Sequence, residues 1–254
     1  MGIIHEQRSF AMVILPALLL LCGCSTLPEV APGTPPPMRT FESTVKGDKP
    51  QMLDVSDSIE GFNRGTYRFN YYFDEYLMRP VVRTYEFIMP DYAEDRVSRA
   101  IDNIGDVGNF TNNLLQLKFK AAGITLGRVL VNSTAGVAGL WDPASKWGLE
   151  RHPEDFGQTL GHYGAGNGSY IVLPVLGPSN VRDTAGLVAG TAAFNLVGPA
   201  AWVNDSTINT AYTATSSVDK RHRIPFRYRQ TGSPFEYDLL RMLYTMQREL
   251  EIEN

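Results

Sequence analysis

The segment AAGITLGRVLVNSTAGVAGLW, Ala121 to Trp141, runs for 21 residues with a single charge, Arg128. A second stretch, AGLVAGTAAFNLVGPAAWV, Ala185 to Val203, has 19 residues and no charge. Each carries a Gly-x-x-x-Gly, at Gly123/Gly127 and Gly186/Gly190. At helical spacing such glycines form a strip where another backbone can approach closely, a habit of helices that pack in lipid. Neither stretch is an uninterrupted span. The first is broken at Asn132-Ser133-Thr134 and Gly136, the second at Gly198-Pro199. A break at bilayer depth leaves backbone groups without partners unless they line protein or a wet cavity. Two readings follow: central helices of a soluble domain, or helix–break–helix hairpins seated in one leaflet.

The N-terminus bears on that choice. Met1 to Ser9 is short and polar, and Phe10 to Leu21 is a mostly apolar run of 12 residues. Small residues follow, which is the layout of a secretory signal and too short for a membrane span. Leu21-Cys22-Gly23-Cys24 reads as a bacterial lipobox, with cleavage before Cys24 and lipidation of that cysteine. The two cysteines are therefore neither a redox pair nor half of a metal site, since a thiolate site needs further ligands. His5, His152, His162 and His222 are scattered along the chain and supply none. Residues 1–23 are thus expected to be a signal peptide, and residues 24–56 a lipidated N-terminus with a tether. Pro28, Pro32, Pro35, Pro36, Pro37 and Pro50 fall in that tether, with no apolar periodicity. Residues 57–254 are expected to fold as one helical domain.

From Asp57 onward the pattern is mostly helical. Phe62, Thr66, Phe69, Phe73 and Tyr76 recur at steps of four and three and mark one helix face. That aromatic face suits either a packed core or a belt at a lipid–water boundary. Pro80 suits a new helix start, with Val81 to Met89 a short helix closed by Pro90. Asp91 to Lys120 reads as two helices split near Gly105 and Gly108. In the glycine-rich section, Tyr163 and Tyr170 to Leu173 are placed to pair across Gly164–Gly168 as a small hairpin. Ser233-Pro234-Phe235-Glu236 opens a last helix with Phe235, Leu239, Leu243, Met246 and Leu250 on one apolar face.

Chemistry is sparse. The formal net charge is −4, and a mildly acidic chain behind an export signal is not a nucleic-acid binder. The basic run Lys220, Arg221, Arg223, Arg227 and Arg229 reads as a solvated loop or a patch facing anionic headgroups or a partner. No Gly-x-Ser-x-Gly elbow is present, and nothing in the spacing of His162, Ser169 and Asp183 supports a triad. Gly164-Ala165-Gly166-Asn167-Gly168 lacks the flanking elements and the lysine of a phosphate loop. The residues point away from catalysis, and no cofactor or metal is expected.

Several motifs, in order, resemble the VacJ/MlaA family of outer-membrane lipoproteins. They are Ile59-Glu60-Gly61-Phe62-Asn63-Arg64 with Tyr67, Phe69, Asn70 and Asp74; Arg79-Pro80-Val81; Pro90; and NFTNNLLQ from Asn109 to Gln116. The likeness continues through Arg128 with Asn132 to Gly136, Asp142-Pro143-Ala144, and Glu154-Asp155-Phe156-Gly157-Gln158-Thr159-Leu160-Gly161. It closes with Leu173-Pro174, Leu176 to Ser179 and Arg182-Asp183, and thins beyond residue 190. The resemblance implies a mostly α, ring-like domain with short β and turn elements, seated in the inner leaflet of the outer membrane. It also implies a protein that associates with a porin trimer and takes misplaced phospholipid from the outer leaflet through an amphipathic channel. A soluble periplasmic carrier then receives the lipid. On that expectation Arg128, Asn132 and Thr134 line the channel, while Leu126, Val137 and Leu187 face lipid. Asn63, Arg64 and Asn70 fix helix–helix hydrogen bonds, and Phe156 to Gly161 sets a tight turn that braces the ring.

Overall fold

A computed structural model describes residues 55–203, 205–230 and 232–253. The signal segment, Cys24 and the tether up to Asp54 lie outside them. Helix α1, Glu60–Phe73, does not end before Pro80. It passes through one π turn, Asp74–Met78, into α2, Arg79–Ile88. The Arg79 N–H bonds the carbonyl of Asp74, five residues back. That wider turn admits a proline, which lacks an N–H and crowds the carbonyl four residues before it. Pro80 does fall in the first turn of α2, as expected, but α2 continues α1 through the π turn without a break.

Helix α3, Asp91–Leu115, is likewise one helix of 25 residues, not two. Gly105 and Gly108 do not break it, because the face beside them carries buried Asn103, Asp106 and Asn113 with partners on other elements. Leu117, at φ 61, makes the tight turn into α4, Phe119–Thr134. Helix α4 packs against α3 more extensively than any other pair of elements. Of the interruption expected at Asn132-Ser133-Thr134 and Gly136, only the part at Gly136 is present: α4 runs through Asn132 and Ser133 to Thr134, and Val137 and Ala138 then adopt positive φ. A short α5, Pro143–Lys146, follows, capped by the Asp142 carboxylate on Ser145 N–H.

The segment Phe156–His162 is a helix, α6, and not the tight turn expected there. Asp155 and Gln158 form a reciprocal capping box at its start. The small sheet also differs from expectation. Strand β1, Tyr170–Leu173, pairs antiparallel with β2, Gly177–Asn180, in the register Tyr170↔Asn180 to Leu173↔Gly177. Tyr163 instead closes α6 and donates its hydroxyl to Leu115 O at 2.5 Å. The turn falls at Val175 (φ 68), where Pro174 and Gly177 supply a tighter reversal than the longer glycine loop.

Asn63 and Asn70 lie two turns apart on α1 and act as a substitute third strand. Asn63 donates to Tyr170 O (2.9 Å) and accepts from Val172 N (2.8 Å). Asn70 does the same for Leu173 O (2.9 Å) and Val175 N (2.7 Å). Their expected helix–helix role is thus a helix–strand role, since an amide side chain matches the donor and acceptor of a strand edge. Arg64 does join two helices, bonding Glu60 at 2.6 Å and Asp238 at 3.2 Å.

Helix α7, Val181–Leu196, breaks at Gly198 into α8, Pro199–Val203, as the second apolar stretch implied. Gly186 rests on α6: a Cβ there would lie 2.4 Å from Gly157 N. Helix α9, Ser206–Arg223, and α10, Glu236–Glu253, complete the chain. The basic run divides: Arg221 and Arg223, at the end of α9, are held by acids, while Lys220, Arg227 and Arg229 are exposed. Arg221 grips Asp74 at 2.5 and 2.9 Å, and Arg223 pairs with Asp102 and Asp219. His222 sits between Glu86 and Glu94.

Burial is inverted relative to a water-soluble fold. Among the described residues, seven apolar side chains are buried against twenty-one polar or charged ones. Helix α4 shows the rule: Thr125, Arg128 and Asn132 point in, while Leu126 and Leu130 point out. Of the repeat Phe62, Thr66, Phe69, Phe73 and Tyr76, the rings of Phe62, Phe69 and Tyr76 are outward, Phe73 is half-buried and Thr66 is buried, whereas Tyr67, Tyr170 and Tyr237 form an edge-to-face cluster inside. The stripe of α10 is outward too, with Phe235, Leu239, Leu243 and Leu250 all exposed.

Candidate functional site

A cavity of about 1270 Å3 opens between the α3–α4 turn, residues 148–155, the start of α6 and the end of α10. Its volume exceeds the ~300–1,000 Å3 usual for small-molecule sites. The turn contributes Leu117-Lys118-Phe119-Lys120, in which apolar and cationic side chains alternate. Leu117 and Phe119 are 63% and 65% exposed, so this edge is both greasy and positive. Ile124, one turn into α4, extends the apolar side.

The opposite wall is acidic and tightly braced. Lys118 bonds Glu154 at 2.7 Å, and Gln116 reaches the other Glu154 oxygen at 2.8 Å. Glu154 N–H donates to Asn109 (3.2 Å), and Asn113 donates to His152 O (3.1 Å), which fixes the loop to α3. Arg248 from α10 bonds Asp155, Asp183 and Glu251 at 2.9, 2.8 and 2.7 Å. Burial works against the Arg248 charge, yet its hydrogen bonds to Asp155 and Asp183 outweigh that and raise its pKa above the ordinary value. Lys120 and Glu150 face the cavity with no ion pair among the described residues. The lining therefore presents both signs of charge beside an apolar lip and carries no serine, threonine or cysteine nucleophile. Such a surface suits an amphiphile with a charged head.

Arg128 and Asn132 belong to a different structure. Arg128 is 4% exposed and bonds Asp106 (3.3 Å), Ser145 (2.9 Å), Leu149 O (2.6 Å) and Asp142 (3.1 Å). Asn132 bonds Asp142 (3.0 Å) and Ala144 N (3.1 Å). Burial tends to raise the Asp142 pKa, but bonds from Ser145, Asn132 and Arg128 prevail and bring it down to about 2. These residues lock α5 onto the α3–α4 hairpin, and the expectation that Arg128 and Asn132 line a channel is corrected to that role. Uncompensated charge is costly inside, so a buried arginine gathers acids and carbonyls. Thr134 is exposed and bonds its own helix at Leu130 O (2.7 Å), so it joins neither the lock nor the cavity lining.

Leu126, Val137 and Leu187 are 43%, 57% and 43% exposed and lie outside the cavity lining. The stretch Val181–Val203, which comprises α7, the break at Gly198 and α8, is long and apolar enough to cross a membrane by length and composition. Glu60 and Phe62 are on the exposed side of α1, and a Cβ at Gly61 would meet nothing. Gly157 packs closely on α7, where a Cβ would fall 2.6 Å from Asp183 Oδ1 and 3.0 Å from Asp183 Cα, whereas a Cβ at Gly161 would meet the movable tip of Ile252 at 2.6 Å. Phe156 opens α6. His162, Ser169 and Asp183 are not assembled for catalysis. Asp183 is held by Asn180, Arg182, Tyr244 and Arg248, and Ser169 accepts from Ser58 N.

Sequence reasoning passed over the 117–120 turn. The alternation of apolar and basic residues was its only signal, and it sits where a helix end was expected.

Comparison with known proteins gives a consistent picture. A family model described as MlaA lipoprotein matches residues 55–251. An uncharacterized protein of Rickettsia typhi is 33% identical over 79% of this chain and 80% of its own length. The intermembrane phospholipid transport system lipoprotein MlaA of Escherichia coli K12 is 36% identical, over 53% of this chain and 55% of its own. Its Haemophilus influenzae namesake is 31% identical over 57% and 59%. A solved structure described as the structural basis for maintenance of bacterial outer membrane lipid asymmetry superposes with a TM-score of 0.64 at 26% identity. That match covers 78% of this chain and 99% of the solved one.

Proposed function

Because the chain belongs to the MlaA lipoprotein family, we propose that it is a lipid-anchored conduit that takes phospholipid out of the outer leaflet of the outer membrane. Related lipoproteins are named for intermembrane phospholipid transport, which supports phospholipid as the substrate class. The observation that carries the reading is inverted burial: charge and amide groups inside, leucine, valine and aromatic groups outside. A surface of that kind is stable against acyl chains and unstable against water. The helices thus sit in the inner leaflet, anchored as well through Cys24, with Leu126, Val137 and Leu187 against lipid.

The large cavity then lies where a headgroup enters. Lys118 and Lys120 attract the phosphate, the acids of residues 150–155 accommodate a headgroup ammonium, and Leu117, Phe119 and Ile124 accompany the acyl chains. A phospholipid in the outer leaflet is in the less stable place, so passage is downhill and needs no energy input here. A porin trimer holds the protein in position, and a soluble periplasmic carrier receives the lipid.

The test is transfer from vesicles. Acylated protein reconstituted with labelled phospholipid should release intact lipid to a soluble periplasmic extract. Leu117→Asp with Phe119→Asp should abolish release while vesicle association persists. Unchanged release would reject the cavity as the route, and no release from the unmodified protein would favour an envelope scaffold.

A further inference from the structure

A second, smaller cavity of about 450 Å3 lies between α1 and the start of α10, and its chemistry differs from the first. Three arginines line it: Arg64, Arg68 and Arg229. Two lie over tyrosine rings. Arg64 stacks on Tyr237 at 4.3 Å and Arg229 on Tyr71 at 4.2 Å. Stacking holds a guanidinium in place while leaving its N–H edge free to donate. Arg64 is balanced by Glu60 and Asp238. Arg68 and Arg229 have no ion pair among the described residues.

Arg229 is also held in an unusual backbone state. Its φ is +61, which a non-glycine residue adopts at a cost, and its N–H is tied to Glu236 at 2.6 Å. Sparsely populated backbone states persist where the surroundings enforce them, often at binding sites. Arg68 and Arg229 line the same notch, together with the Glu236 carboxylate and Ser233, whose hydroxyl accepts from Phe235 N at 3.2 Å. Around α1 the buried amides Asn63 and Asn70, the exposed rings Phe62 and Phe69, and the arginines 64 and 68 occupy three separate sectors. The cationic sector is therefore distinct from the aromatic one.

We infer that this notch is a phosphate-group site, separate from the large cavity, in which Arg68 and Arg229 clamp one phosphate. The paired N–H edges of arginine match phosphate oxygens in shape and charge. The phosphate comes from an anionic lipid at the membrane surface or from a soluble phosphate. The inference stands on this notch and does not rest on the conduit reading.

Full-length acylated protein in mild detergent would be titrated by calorimetry with dihexanoyl phosphatidic acid, and in parallel with dihexanoylglycerol, which lacks the phosphate. The difference between the two isolates the phosphate contribution from binding to apolar surfaces. That difference should fall about tenfold for each arginine removed in Arg68→Gln and Arg68→Gln/Arg229→Gln, and fall with added salt. Arg68→Gln alone is informative because Arg68 is exposed and makes no hydrogen bond, ion pair or ring contact among the described residues, and Arg68→Lys/Arg229→Lys should restore part of the affinity. Displacement by inorganic phosphate supports the site with a soluble source. Failure of inorganic phosphate to displace the lipid supports it with a lipid source. A phosphate contribution of zero, or one unchanged by Arg68→Gln, overturns the inference.

Discussion

Replacing Leu187 by lysine separates a membrane-facing exterior from a wet one. Leu187 is 43% exposed on α7, beside Val188 at 66%. If that face meets acyl chains, the variant forfeits the exposed part of a leucine, about 1 kcal/mol of the ~1.5–3 kcal/mol for full burial. It also carries a charge into the leaflet, at up to ~2.5–3.5 kcal/mol on insertion scales, less where the long side chain reaches the headgroups. The sum is roughly 2–4 kcal/mol, or about 30- to 1,000-fold in partitioning. If the face meets water, an exposed Leu→Lys change stays within about 0.5 kcal/mol. The assay is flotation of the protein with phospholipid vesicles in a Cys24→Ala background, so that the acyl anchor does not mask the effect. Leu126→Lys should act the same way on α4, and the two effects should add, because the sites lie on different helices. Partitioning that stays unchanged in Leu187→Lys and Leu126→Lys would refute the leaflet-seated account.

Three further outcomes follow from the packing. Asn63→Ala strips the partners from Tyr170 O and Val172 N and should cost about 2–4 kcal/mol, read from the denaturation midpoint. Gly186→Ala sets a Cβ 2.4 Å from backbone and should destabilise by about 1–3 kcal/mol, whereas Gly190→Ala meets nothing and should leave the melting temperature level or slightly raised. The Asp142 carboxyl titrates near 2 in the fold, below its ordinary value of about 3.9, so its contribution is complete above pH ~4 and is lost as pH falls toward ~2. Thermal melts across that window should flatten in Asp142→Asn.

Amphipathicity told more about periodicity than about direction. The repeat of Phe62, Phe69 and Tyr76 correctly marks a helix face, but a moment has no sign until the solvent is known. In water that face packs inward, and in a leaflet it faces out. The breaks at Gly136 and Gly198-Pro199 were legible because glycine and proline act locally. Pro80 and Gly105 misled for the same reason: a π turn absorbs the proline, and tertiary partners of Asp106 and Asn113 carry α3 through its glycines. Arg128 looked like a channel residue as the one charge in an apolar run. Its four partners come from residues 106, 142, 145 and 149, which are distant enough in sequence that no spacing rule joins them. The large cavity was hidden similarly, since its walls come from α3, α4, α6 and α10. Two motifs lay in plain view: Asn109 and Asn113 of the 109–116 motif line it, as do Glu154, Asp155 and Gln158 of the 154–161 motif.

The most direct test of the conduit is to see where a lipid sits in the protein. Acylated protein in vesicles carrying a headgroup-photoreactive phospholipid would be irradiated, digested and mapped by mass spectrometry. The account predicts intact lipid attached to the peptides spanning residues 117–124 and 150–158, and loss of those adducts in Leu117→Asp/Phe119→Asp. Adducts confined to the outward faces of α7 and α10, or lysolipid produced in proportion to protein, would contradict it.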